Sequence, residues 1–435
     1  MSHCFCEAAA HGSSQGFVRF HAVAMKLLIV TQFFPPEPGR LLLELAQWMR
    51  DTGHEATVLT GFPNYPMGRL YPGYKLRLWQ REVLEGVPVI RVPLYPEHSR
   101  SAWRRALNYV SFALSATIIG PWLVPQFDVI HFYHPPLTSA FPAWVLSRAF
   151  RKPMTCEIQD MWPETLAATG MCTKPWILKF VGSVAKAVYR QVKAIRVISP
   201  GFCENLVRKG VPREKIHVIS NWVNTDFYQP QAPDEELAQK LGMAGRFNVM
   251  FAGTLGLAQG LETVLEAAAL LADLDAVQFV LVGDGADYER LQTLAARRGL
   301  RNVKFLGRYP GDRMSSLYAI ADVLMLHLRD DALFRITIPH KVLTYLASAK
   351  PILAALEGDT ADVVTSAGAG LVCRSSDPQA MADAVRRLHA MSPDELKAMG
   401  ERGRQAACRQ YGRNALTERF VAMLESVTAE RPKQP

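Results

Sequence analysis

None of the seven cysteines in this 435-residue chain forms a CxxC pair or a Cys/His cluster, which excludes a disulfide framework and a structural zinc site and points to a reducing compartment. No GxGxxG fingerprint follows a strand-like run, so a dinucleotide oxidoreductase is disfavoured. Charge is scarce, at 20% of residues, whereas 49% are hydrophobic, a balance that excludes disorder. Lys+Arg 49 against Asp+Glu 40 leaves a net charge of +9. That excess suits an anionic partner such as a nucleotide or a phospholipid surface, but it is too thinly spread for a nucleic-acid protein. The first 24 residues have no apolar periodicity and lack the apolar core of a secretory signal. They are expected to form a flexible extension, His3, Cys4 and Cys6 included, with Met25 as the start of the folded chain.

What is present is alternation. Short Val/Ile-rich runs (KLLIVT, ATVLT, VPVIRV, DVIHF, MTCEI, AIRVIS, then FNVMFAG, VQFVLVG, VKFLG, DVLMLH, PILAA, GLVC) are separated by amphipathic stretches, the pattern of buried parallel strands in βαβ units. Two sets of about six strands predict an α/β protein with two Rossmann-like, doubly wound domains, 25–220 and 221–410. The boundary falls at the turn formers, prolines and acids of NWVNTDFYQPQAPDEE. Residues 411–435 are expected to form a helix that packs back on the first domain. Sheets of this kind bind ligands beyond the carboxyl ends of their strands, so a site is expected in the cleft between the domains.

Residues 106–127 carry no charge and follow Arg100, Arg104 and Arg105. Three readings stand: a spanning helix, an interfacial helix with Tyr109, Phe112 and Trp122 at an anionic surface, or a core helix of the first domain. The Gly120-Pro121 pair argues against the first.

The chemistry-bearing motifs lie after strands. FNVMFAG ends in Gly253-Thr254-Leu255-Gly256, followed by Gln259, Gly260 and a helix; such glycines either admit a phosphate or allow tight strand-to-helix packing. VQFVLVG runs into Gly283-Asp284-Gly285, with Asp284 read first as a helix N-cap. In ITIPHKVLTYLA, Pro339 is expected at the first helical position, which would place Lys341 in the first turn, a location that favours an anion. In the first domain, His131 is read as a core histidine and His134 as following its strand, within reach of a ligand. Asp160 stands at the edge of the next strand, able to accept hydrogen bonds or act as a base, and Trp162 offers a sugar or lipid an apolar face.

Together FFPPEPG, GHEATVLTGFPNYPMG, EIQDMWPE, VISPGFCENLVRKGVPREKIHVISNWVNTDFY, GTLGLAQGLETVLEA, LVGDGAD and IPHKVLTYLASAKPIL resemble, from Met25 onward, the GT-B-fold glycosyltransferases of family four. Within it they are similar to the WbuB-type bacterial amino-sugar transferases of surface-polysaccharide synthesis. The resemblance implies a nucleotide-sugar donor, most simply a UDP-sugar, on the second domain and a saccharide or polyprenyl-diphosphate-linked saccharide acceptor on the first. It further implies retention of anomeric configuration, no metal or other cofactor, and a peripheral place on the cytoplasmic face of the membrane, in O-antigen or exopolysaccharide assembly.

By resemblance, His134 lies near the transferred sugar, Asp160 faces the acceptor and Lys341 meets the diphosphate. Gly253, Thr254, Leu255, Gly256, Gln259, Gly283, Asp284, Gly285, Ile338, Pro339 and Thr344 surround the donor, while Gly39, Trp162 and Glu164 belong to the first loop or the acceptor side. The sequence departs from the wider family in carrying Thr254 and Gln259 where an Arg and a Lys are usual, and Ile336 and Thr344 where two glutamates are usual. The loop FFPPEPGR is also shorter, with Gly39 its one glycine. These departures keep two alternatives open: a non-catalytic relative that binds nucleotide or membrane, and a nucleotide-sugar epimerase on the same fold.

Overall fold

The computed structural model describes residues 24–99 and 101–429; the expected extension and Arg100 lie outside them. Fourteen strands occur among these residues: β1 (Lys26–Val30), β2 (Glu55–Gly61), β3 (Gln80–Leu84), β4 (Val87–Val92), β5 (Val129–His134), β6 (Met154–Ile158), β7 (Ala194–Val197), β8 (Ile216–Val218), β9 (Phe247–Ala252), β10 (Val277–Val282), β11 (Val303–Gly307), β12 (Val323–His327), β13 (Ile352–Ala355) and β14 (Gly370–Cys373). They form two sheets, ordered β3-β4-β2-β1-β5-β6-β7-β8 and β11-β10-β9-β12-β13-β14. The strand pairs are parallel except β3 with β4. The chain is thus α/β, with two Rossmann-like sheets covered by helices.

All twelve quoted runs are strands; the central ones, such as β1, β9 and β10, are buried on both faces and so read as continuous apolar runs, whereas the edge strands β11 and β14 are only half-buried. The first sheet has eight strands rather than six. Its added edge strand β3 alternates half-buried with exposed residues, which blurs its apolar signal, and β8 is only three residues long.

The helix Arg413–Ala429 lies on the first sheet. Its Leu416, Phe420, Val421 and Leu424 share one buried cluster with Leu27, Ile29, Leu43 and Val58. Beneath it runs a polar core. Arg196 on β7 bonds Glu157 on β6 at 2.5 Å and reaches the carbonyls of Ile219 and Ser220 at 3.0 and 2.7 Å. Its guanidinium lies 5.1 Å from the Trp222 ring centre and 5.5 Å from that of Phe420. Burial opposes ionisation of Glu157, but the Arg196 charge, the nearby His131 ring and a hydrogen bond from Gln159 hold it well below the usual carboxylate range. His131 is a core histidine, with Nδ1 3.0 Å from Thr155 Oγ1.

Trp222 is the junction of the two halves. Its indole N–H donates to Glu44 Oε2 at 2.7 Å, and its carbonyl lies 3.1 Å from His340 Nε2. A second clasp joins Ser199 Oγ to the Ile336 carbonyl and Gly201 N–H to Asp359. A Cβ on Gly201 would lie 2.5 Å from Ile336, so this approach needs glycine.

The uncharged stretch lies in the helix Ala102–Leu123, which continues through Gly120-Pro121 rather than breaking there. Phe112, Ala113, Ala116 and Gly120 face the core, and Tyr109 leans on Trp162, so the expected outward placing of Tyr109 and Phe112 is corrected by the helix phase. The outward stripe is Trp103, Leu107, Val110, Leu114, Ile118 and Trp122, spaced three or four residues apart. By length and apolarity this helix alone among the described residues passes for a membrane span, yet its inner face is packed on the domain.

Candidate active site

Strands β10, β9, β12 and β13 lie side by side and parallel, so their carboxyl ends gather four loops at one edge. Gly253 (φ +148°) follows β9 and Gly283 (φ +132°) follows β10. A Cβ on Gly283 would come within 1.8 Å of the Gly253 carbonyl oxygen, and one on Gly285 within 2.3 Å of that of Leu255. The two turns are laced together by Leu255 N–H to the Asp284 carbonyl at 3.0 Å and Gly253 N–H to the Val282 carbonyl at 2.9 Å. Glycine here lets backbone stack on backbone.

Lys341, in the first turn of the helix His340–Ala347, reaches this turn. Its ammonium sits 4.0 Å from the Phe251 ring centre, and a Cβ on Gly253 would lie 2.6 Å from Nζ. Among the described residues no side chain or carbonyl gives Lys341 a hydrogen bond or ion pair, and burial pulls its pKa down to about 7. Lys341 is thus a half-buried cation beside a helix N-terminus with no acid to balance it, an arrangement compatible with an anion.

The other expected donor residues fall into two groups. Thr254 and Asp284 are exposed, and Gly256 and Gly285 half-buried, on the same rim. Several are committed within the protein. The Leu255 side chain and Ile338 belong to the core, the Gln259 amide oxygen accepts Gly256 N–H at 3.1 Å, and Thr344 Oγ1 donates to the Lys341 carbonyl at 2.9 Å. Pro339 is the N-cap, one place before the expected first helical position. Asp284 is not the N-cap of the following helix; that place belongs to Asp287, while Asp284 accepts the neighbouring Gly285 N–H at 2.7 Å. The turn between them is three residues longer than the motif implied.

His327, not anticipated from sequence, closes the same edge. It ends β12, and its Nδ1 lies 2.5 Å from the Gln259 carbonyl. Burial lowers its pKa, so the ring is neutral; donation through Nδ1 leaves Nε2, which has no partner among the described residues, as an acceptor. Its one sequence signal was its place as the last residue of a strand.

On the first domain, His134 is the last residue of β5 rather than beyond it. Strand alternation places it with Phe132 on the inner face, wholly buried, 5.6 Å from the Trp162 ring in an edge-on contact. Burial, with the Lys209 charge, pushes its pKa to about 3, and neither ring nitrogen has a partner. It backs Trp162 and presents no surface of its own. Asp160 is half-buried, has no hydrogen-bond partner among the described residues, and burial raises its pKa to about 6. Glu164 lies 2.6 Å from Lys209 Nζ.

Gly39 is exposed, with φ +104° and nothing near its Cβ position. The short first loop is tied down by Glu37, whose buried carboxylate accepts the N–H groups of Asn64, Tyr65 and Phe34 at 2.7, 2.7 and 3.0 Å. Burial outweighs these bonds and raises its pKa to about 7. No group of three His, Cys, Asp or Glu side chains among the described residues is arranged to hold a metal.

Comparison with known proteins gives a consistent family. Residues 38–222 match the glycosyl transferase 4-like domain, and residues 233–406 match the glycosyl transferases group 1 domain. The colanic acid biosynthesis glycosyl transferase WcaI of Escherichia coli, a putative assignment in its own name, is 27% identical over 311 residues, 68% of this chain and 75% of its own. A GDP-mannose-dependent alpha-mannosyltransferase of Mycobacterium tuberculosis is 24% identical over 353 residues, 80% and 83% of the two chains. Among solved structures, HepE of Anabaena in complex with UDP superposes with a TM-score of 0.70 at 18% identity, covering 92% of this chain and 100% of that one. Sucrose-phosphate synthase of Thermosynechococcus elongatus gives 0.72 at 16%, covering 94% and 100%.

Proposed function

The chain is a glycosyltransferase of the GT-B fold, and from that premise we propose that it moves a sugar, with retention of anomeric configuration, from a nucleoside-diphosphate donor to a lipid-linked saccharide in surface-polysaccharide assembly. An N-acetylated amino sugar carried on UDP is the donor this reading favours. One observation carries it above the rest: the unbalanced Lys341 ammonium against the Gly253 turn, at the start of a helix. As the glycosidic bond breaks, negative charge grows on the leaving diphosphate, and this cation, the helix N-terminus and the turn's amides are placed to stabilise it. His327 Nε2 accepts one donor hydroxyl, and Asp160 accepts the hydrogen bond of the attacking acceptor hydroxyl. His134 acts as a positioning residue by backing Trp162. The relative named for colanic acid biosynthesis supports a place in surface-polysaccharide assembly.

The test is incubation with a panel of nucleotide sugars and a polyprenyl-diphosphate-linked saccharide. A lengthened acceptor whose new linkage keeps the donor's anomeric configuration by NMR is expected; nucleotide binding without transfer across the panel contradicts the reading.

Proton linkage supplies a second check. Lys341 titrates near 7 in the free protein, and a bound diphosphate raises that value. UDP affinity is therefore full below about pH 7 and falls as pH rises through it, by roughly tenfold between pH 7 and 8.5. Calorimetric titration at pH 8 in two buffers of different ionisation heat should report uptake of close to one proton; no uptake would remove Lys341 from the diphosphate site.

The same reading places the protein at the inner face of the membrane through the outward stripe of the Ala102–Leu123 helix, where Ile118 is 67% and Trp122 87% exposed and Arg104 lies near one end. Replacing Ile118 and Trp122 by glutamate should weaken co-sedimentation with phosphatidylglycerol vesicles by at least about tenfold, since each side chain buried in lipid contributes roughly 1.5–3 kcal/mol. Unchanged co-sedimentation would place the membrane contact elsewhere.

A further inference from the structure

In the second sheet β10 and β11 lie to one side of β9 and β12 to the other, and it is at such a switch in strand order that an open α/β sheet offers a crevice. The two strands part early there. β10 follows β9 to its last residue, Ala252, whereas β12 pairs with it only at Val249 and Met250. In a parallel ladder the N–H and carbonyl of one residue point to the same neighbour, and successive residues point to opposite ones. The Gly253 N–H goes to Val282 on β10, so both groups of Ala252 face the side that β12 has left. One side-chain atom satisfies them. The Tyr345 hydroxyl accepts the Ala252 N–H at 3.1 Å and donates to the Ala252 carbonyl at 3.2 Å, from a fully buried side chain. Burial keeps the phenol protonated, as donation requires.

Tyr345 belongs to the helix His340–Ala347, one turn after Lys341 and on the same face. Its ring is braced edge-on by Tyr318, with the ring centres 5.3 Å apart. The residues on either side of Ala252 are the two that meet Lys341: the ammonium lies 4.0 Å from the Phe251 ring centre, and Gly253 admits it by lacking a side chain. The hydroxyl therefore ties the helix to the strand at the residue between them. We propose that Tyr345 is a positioning residue for transfer: its hydroxyl takes the place of the missing β12 partner, fixes the helix to the end of β9, and so sets where the Lys341 ammonium stands against the leaving diphosphate. The inference rests on the diphosphate reading of Lys341 above. Misplacement on the ångström scale can lower a rate by about a hundredfold, so the loss of one hydroxyl here is felt in turnover.

The test is a double-mutant cycle on transfer by the full chain, with the donor that the panel above yields: Tyr345→Phe, which removes only the hydroxyl, Lys341→Ala, and the pair. Tyr345→Phe should lower kcat by about tenfold or more and change the donor KM by less than about threefold. In the Lys341→Ala background the same change should lower kcat by less than about twofold, because the hydroxyl acts through the ammonium. Calorimetric titration of Tyr345→Phe with UDP at pH 8 should report less than about half the proton uptake of the parent. Thermal unfolding confirms that each variant folds; if Tyr345→Phe does not, Tyr345→Met, a more compliant side chain without the hydroxyl, takes its place in the cycle. A parent-like kcat in Tyr345→Phe beside a slow Lys341→Ala, losses that multiply in the pair, or parent-like proton uptake would each overturn the proposal and leave the diphosphate reading standing. A parent-like rate in Lys341→Ala would overturn that reading, and the proposal with it.

Discussion

Lys341→Ala is expected to lower the transfer rate by roughly two to three orders of magnitude, the usual effect of deleting one transition-state charge stabiliser from a water-poor site. The loss should fall mainly on kcat, because the diphosphate gains negative charge as the sugar departs and the ammonium meets that charge most strongly then. Stability should move the other way. Burial has lowered the Lys341 pKa from 10.5 to about 7, so the folded state disfavours the charged form, and this penalty is largest below pH 7 and vanishes above pH 10.5. Alanine removes it, so thermal unfolding of the free variant near pH 7 should not occur at a lower temperature. A buried cation that costs its own fold is the pattern expected if Lys341 has the proposed catalytic role. A parent-like transfer rate would contradict this role.

Arg196→Met is expected to be the most damaging change to stability, at about 3–5 kcal/mol, because it leaves the wholly buried Glu157 charge without its partner. Urea unfolding should show the loss, and Arg196→Met combined with Glu157→Leu should recover most of it, since replacing both members of a buried pair by apolar groups is far less costly than breaking it. A single-variant loss below about 1 kcal/mol would contradict the assignment. The effect should reach the active site. Arg196 holds the carbonyls of Ile219 and Ser220, lies against Trp222, and Trp222 in turn meets both Glu44 and His340, the residue before Lys341. One buried guanidinium thus aligns the linker, the helix Leu41–Asp51 and the helix that carries Lys341.

The parts of this arrangement that sequence reveals are those set by local pattern. Buried parallel strands read as unbroken Val/Ile runs, and residues just past their ends, such as Gly253 and Gly283, can be marked as site candidates without coordinates. Lys341 was accessible to the same reasoning through Pro339, although the helix starts one residue later than proline placement implied. Phase proved harder than composition. The outward stripe from Trp103 to Trp122 follows helical spacing, but glycine, proline and scattered hydroxyls obscured which face was free. For His134 one residue of strand length decided the matter, because alternation turns it into the core. Groups assembled from distant segments left no local trace. The Glu37 clasp on Asn64 and Tyr65 spans 27 and 28 residues, and the Tyr345 hydroxyl meets Ala252 across 93. Such contacts exist only once the sheet has set the geometry.

The central claim is that protein charge at the carboxyl edge of the second sheet receives the leaving diphosphate. A crystal structure of the chain with UDP tests it most directly. The account predicts diphosphate oxygens within about 3.2 Å of Lys341 Nζ, beside the Gly253 turn; a diphosphate bound away from that edge, with Lys341 untouched, would contradict it.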